Sequence, residues 1–138
     1  MSVIVTDSGF AADDWTGRFS GLDALPANCI ALDLPSDADP ADLAGDLERF
    51  QMIRVAFPSF ADGRGFTIAR LFRLAGYKGR LRAHGHVIAD QYAMARRSGF
   101  DEVEIDDVIA ARQPEAQWMA RADWQAHDYQ ARMRQRGA

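Results

Sequence analysis

The chain has a single cysteine, Cys29, in 138 residues. No internal disulfide can form, and cysteine-ligated zinc and iron–sulfur sites are excluded with it. Cys29 lies in the apolar run Asn28-Cys29-Ile30-Ala31-Leu32 with no cation nearby in sequence, so a buried thiol is expected rather than a redox nucleophile. No apolar run approaches the ~20 residues of a membrane span. Met1 to Gly9 lacks the basic start and long apolar core of a signal peptide. The expectation is a cytoplasmic protein with no membrane role. Repeats and low-complexity segments are also missing.

What is present suits one domain, at the usual ~100–200 residues per domain. Apolar residues make up 48% and charged residues 26%, as in ordinary globular proteins. The net charge of −4 hides an asymmetry. Residues 1–63 carry 3 basic and 11 acidic groups, residues 64–97 carry 8 basic groups and one acid, and residues 98–138 carry 5 basic and 8 acidic groups. A basic middle between acidic ends suggests an anion site or a docking face for an acidic partner, unless its arginines pair with the acidic ends. Nucleic acid is disfavoured, because the whole chain is acidic and shows no recognition motif.

Periodicity predicts strands at 3–5, 29–34, 52–57, 80–83 and 100–105. In the last, Val103 and Ile105 alternate with Glu102 and Glu104, which reads as a half-exposed edge strand. Trp15, Phe19 and Leu22 allow a short helix. A helix is expected from Asp39-Pro40 with Leu43, Leu47 and Phe50 as its stripe. Others are expected over 66–75, over 86–98, and from Gln113 or Pro114 to about Met133, carrying Trp118, Trp124 and Tyr129. Alternating strands and helices imply a single α/β domain over 1–138. Its sheet, in two or three layers, would hold about four or five mostly parallel strands with βαβ crossovers, ending in the long C-terminal helix.

Ligands of open α/β sheets bind at the carboxyl edge. Three turns meet there, bringing Ser59, Asp62 and Arg64, then His84 and His86, then Asp106 and Asp107. Gly63 and Gly65 permit positive φ or close approach to a ligand. With Arg64 and the N-terminus of the helix at 66 they could hold an oxyanion. The plain alternative is a tight turn in which Asp62 caps the helix and pairs with Arg64. Gly-Arg-Gly lacks the spacing of dinucleotide and phosphate loops. His84-Gly85-His86 with an aspartate could in principle bind metal, yet the histidines equally suit a strand end and a helix start, and no metal is assigned. Asp62 with Asp106 is a possible acid/base pair. Ser59, His84 and Asp106 lack a nucleophile elbow.

The run Phe57-Pro58-Ser59-Phe60-Ala61-Asp62-Gly63-Arg64-Gly65-Phe66-Thr67-Ile68-Ala69-Arg70-Leu71 resembles a bacterial domain-of-unknown-function family. So do Asp46 to Phe50, Gly76 to Ala83, Asp90-Gln91 and Arg96 to Asp101. The likeness is convincing over residues 40–106. Members are labelled oxidoreductases of sulfite reduction, by association with sulfite reductase genes. Asp62, Arg64, Arg82, Asp90 and Gln91 match the family pattern. His84-Gly85-His86 departs from it, standing where the family has an apolar residue, glycine and an acid.

The resemblance implies an accessory protein of assimilatory sulfite reduction that docks on sulfite reductase or a neighbouring enzyme through the basic segment and the Asp62-Gly63-Arg64-Gly65 turn. Two alternatives stay open. One is a small oxyanion- or nucleotide-binding enzyme, with Arg64 and Arg82 on the anion and Asp62 or Asp90 as acid/base. The other is a non-enzymatic homodimer built on strand 100–105 and the last helix. No flavin, haem, iron–sulfur or nicotinamide fingerprint identifies a cofactor.

Overall fold

A computed structural model describes residues 2–43 and 45–127. Six strands form one sheet: β1 (Ser2–Thr6), β2 (Gly9–Ala11), β3 (Ala31–Leu34), β4 (Met52–Phe57), β5 (Arg80–Gly85) and β6 (Glu102–Asp106). Their order is β2-β1-β6-β5-β4-β3. The strands β3 to β6 run parallel, while β1 is antiparallel to both β6 and β2. The fold is mixed α/β with a mostly parallel sheet, as expected, with one strand more. Gly9–Ala11 is too short and too irregular in pattern to show in the sequence.

Strand alternation divides the sheet into two unlike faces. Ile53, Val55 and Phe57 of β4 join Leu81 and Ala83 of β5 and Val103 and Ile105 of β6 in the apolar core. The helices α1 (Arg64–Leu74) and α2 (Tyr92–Ser98) pack there against the sheet and against each other. α1 buries Phe66, Ile68, Ala69 and Phe72. Beyond β6 come α3 (Asp107–Arg112) and α4 (Glu115–Met119). Trp118 of α4 is fully buried, edge-on to Tyr92, and donates Nε1–H to the Gln113 carbonyl at 2.9 Å. The other face carries Arg54, Arg80, Arg82, His84, Glu102 and Glu104, and the segment 12–20 lies against it.

Four expected elements differ. Leu43 and Leu47 are buried, but in two separate 3-10 turns, Pro40–Leu43 and Leu47–Arg49, and buried Phe50 follows the second in extended backbone. Near Trp15 and Phe19 the chain is irregular, with a 3-10 turn only at Leu22–Ala24. The helix expected over 86–98 is confined to a 3-10 turn at Ala89–Gln91 and α2. The long helix over 113–133 is replaced by α4 and a 3-10 turn at Trp124–His127; residues 128–133, with Tyr129, lie outside the described residues.

Strand 100–105 is not an edge. β6 lies between β1 and β5, and Glu102 and Glu104 are buried. The true edges are β2 and β3, and both are capped. Ser20 accepts from Asp33 N–H and donates to the Ala31 carbonyl beside β3. The Glu115 carboxylate takes the outward Phe10 N–H of β2 at 2.7 Å. Such caps block strand addition. The homodimer expectation loses the edge on which it rested.

Candidate functional site

The four parallel strands deliver their following residues to one edge. There the turn after β4 is tied down from within. Asp62 accepts from Arg64 Nε at 3.0 Å, Arg64 Nη2 at 2.8 Å and the Arg64 backbone N–H at 3.1 Å. Arg64 Nη2 also donates to Ser36 Oγ at 2.9 Å, joining the turn to the end of β3. Ser59 Oγ accepts the Ala61 N–H at 3.1 Å. Gln91 donates to the Phe60 carbonyl at 2.7 Å and accepts the Ile88 N–H at 3.1 Å. The Arg64 fork, then its backbone N–H, hold the Asp62 carboxyl well below the usual carboxylate range.

The two glycines of the turn, Gly63 and Gly65, have ordinary backbone conformations, neither with positive φ. A Cβ on Gly65 would stand 2.5 Å from the Phe57 ring, so Gly65 lets α1 seat closely on β4. A Cβ on Gly63 would meet only Phe66, at 3.8 Å.

At the centre of this turn Phe60 is 61% exposed. Beside it is a cleft of about 320 Å³ lined by Phe60, His86, Ile88, Ile109, Arg112 and Gln113. Val108 is exposed as well. His86 thus borders Phe60, and its backbone N–H bonds the Phe57 carbonyl at 2.8 Å.

The remaining candidates are elsewhere. Asp90 points outward, 3.0 Å from Arg121. Asp106 caps α3 by accepting the Ile109 N–H at 2.8 Å. Arg82 and His84 lie on the sheet face opposite α1, so Arg82 does not join Arg64 in one anion site.

That opposite face holds a ladder of charge which periodicity did not reveal. Arg82, fully buried, donates to Glu102 at 2.7 Å, Glu104 at 2.8 Å and Asp13 at 3.0 Å. Arg54 bonds Asp33 at 2.8 Å and Glu104 at 3.1 Å. Arg80 bonds Glu102 at 2.7 Å and Asp14 at 2.9 Å. His84 Nε2 is 3.2 Å from Glu104 Oε2. The segment 12–20 closes over the ladder through its two aspartates, with the Phe19 ring 3.9 Å from the Arg54 guanidinium. Burial alone would raise the Glu104 pKa, but Arg82, His84 and Arg54 outweigh it and the net shift is downward. Burial lowers His84, against the pull of Glu104.

The ladder changes the meaning of the basic segment. Arg64, Arg73, Arg80, Arg82 and Arg96 all pair with carboxylates, including Asp7, Asp13, Asp14, Asp101, Glu102 and Glu104 from the acidic ends. The segment is an internal clasp more than a free basic surface. The arginine spacing on β5, at positions 80 and 82, with glutamates at 102 and 104, was the sequence signal for it.

Among the described residues no group of three or more histidine, cysteine or acidic side chains could hold a metal ion, and no helix is long and apolar enough to cross a membrane. The sequence model of a family described as a bacterial protein of unknown function (DUF934) matches residues 31–138. No curated protein and no solved structure matches the chain.

Proposed function

We propose, for a chain that belongs to the bacterial DUF934 family, that it is an accessory protein acting by docking, with the turn at 58–63 as its anchor. The observation that carries this reading is the exposed Phe60 on a turn whose polar groups are spent on holding it. Ser59, Asp62, Arg64 and Gln91 all bond within the protein. An aromatic ring presented on a pre-ordered turn loses little entropy on binding, and such rings are frequent anchors of interfaces. The sulfur-assimilation setting comes from the sequence resemblance, so the partner is a sulfite reductase or a neighbouring enzyme.

Charge at the turn favours docking over oxyanion capture. The Arg64 guanidinium is already neutralised by Asp62, and Asp37 adds a second negative charge nearby. An incoming sulfite or phosphate would compete with both.

The test uses the purified protein and the purified sulfite reductase of the same cell, in a calorimetric titration at low salt. Wild type should bind. Phe60→Ser should weaken binding at least about tenfold, as for a central anchor, with an unchanged melting temperature because the ring is exposed. Failure of wild type to bind removes the reductase as partner. Binding indifferent to Phe60→Ser removes the turn as the anchor.

A further inference from the structure

A second surface adjoins the turn. Between the segment 36–40 and α1 lies a cleft of about 390 Å³. Ala38, Pro40, Ile68 and Leu71 supply its apolar lining, and Asp37 and Asp39 stand on its rim. Leu71 is 44% exposed, and Leu74, one helical turn on, is 76% exposed. α1 thus turns two leucines outward although its opposite stripe is fully packed. Exposed aliphatic groups beside an apolar cleft mark a contact surface.

Charge selects the occupant. Residues 37–48 contain Asp37, Asp39, Asp42, Asp46 and Glu48, all exposed, and no basic residue. Arg64, the cation that lines the cleft, is held by Asp62. Arg73, Arg80, Arg82 and Arg96 are turned to acids elsewhere in the fold, and Arg70, exposed on α1 beside Leu71, is a single cation against the five carboxylates. Nucleic acid, anionic lipid and acidic peptides are therefore repelled here, while a cationic chain is attracted.

We infer that this cleft receives a basic segment of the partner protein, with an apolar side chain set against Leu71 and Leu74 and lysine or arginine groups over the 37–48 carboxylates. The idea of a partner rests on the docking reading above, but the site does not depend on Phe60. The charge expected of the partner is the reverse of what the basic segment suggests from sequence.

The probe is a synthetic amphipathic peptide of lysine and leucine at helical spacing. Its counterpart replaces each lysine with glutamate. Binding is followed by backbone amide shifts of the full chain. The lysine peptide should bind, shift residues of 37–48 and 67–74, and lose about tenfold in affinity as salt screens the carboxylates. Leu71→Ser, and separately the triple change Asp37→Asn, Asp39→Asn, Asp42→Asn, should each weaken it about fivefold or more. All these positions are exposed, and melting curves check that the fold is kept. Phe60→Ser should leave peptide binding unchanged.

Equal binding of the glutamate peptide, shifts that map elsewhere, or indifference to both variants would overturn the inference. So would a concentration-dependent dimer broken by Leu71→Ser, which would assign the cleft to a second copy of this chain. If the lysine peptide binds as described but the reductase does not, the cleft stands and the choice of reductase falls. If the reductase binds through Phe60 and the peptide fails, the docking reading stands and this cleft falls.

Discussion

Arg82 illustrates how much a single buried side chain can hold. It is surrounded by Glu102, Glu104 and Asp13 and has no exposed surface. Truncation would leave two nearly buried carboxylates without their main counter-charge. Breaking a buried ion pair from one side costs about 3–5 kcal/mol. Arg82→Ala should lower the unfolding free energy by that order, measured by urea denaturation, whereas Arg64→Ala, on an exposed and solvent-screened pair, should cost far less. Similar losses for the two would contradict this picture of the ladder. Sequence matching singled out both arginines, but burial separates them, and burial was not visible in the residues themselves. A buried glutamate and a solvated one look alike in a strand pattern. That is why Glu102 and Glu104 read as an exposed edge when they are the acids of an internal network.

At the scale of elements, α1 and β4 were the most legible parts, because an apolar strand, a glycine turn and a helical stripe each announce themselves. The role of the glycines was not legible. Composition cannot distinguish a glycine that admits a ligand from one that admits a neighbouring ring. The structure gives different roles to the two, and substitution can check them. Gly65→Ala puts a methyl 2.5 Å from the Phe57 ring, so β4 and α1 must separate or the ring must turn, at about 1–3 kcal/mol. Gly63→Ala has room and an ordinary φ of −89°. It should be neutral or stabilising by a few tenths of a kcal/mol through the unfolded chain. Thermal melts of the pair decide; an equal loss in both would mean that the turn itself demands glycine. Likewise Asp106, a site candidate in sequence, is a helix cap. Asp106→Ala should cost about 1 kcal/mol, and Asp106→Asn much less.

For the whole molecule, the basic middle of the chain clasps both acidic ends. Arg80 and Arg82 hold the segment at 13–14, Arg96 holds Asp7, and Arg73 holds Asp101. Stability should therefore depend on carboxylates staying charged. Glu104 has a folded pKa below its ordinary 4.5, so the unfolded chain binds the proton more readily there. Its contribution is present above about pH 4.5 and is lost as pH falls through the lower folded value. Asp7, Asp13 and Asp14 are lowered from 3.8 and act with the same sign further into acid. His84 adds an earlier step. Its folded pKa lies below the ordinary 6.5, because burial disfavours the imidazolium more than Glu104 favours it. Between those two values the unfolded chain again takes up more protons, so stability declines as pH drops below about 6.5. Urea midpoints measured from about pH 7.5 down to about pH 2.5 should fall in two stages. His84→Gln should flatten the first stage and leave the second. If wild-type stability instead rose between about pH 7 and pH 5.5, protonated His84 would be gaining more from Glu104 than it loses by burial, and the ladder would be short of a cation at neutral pH.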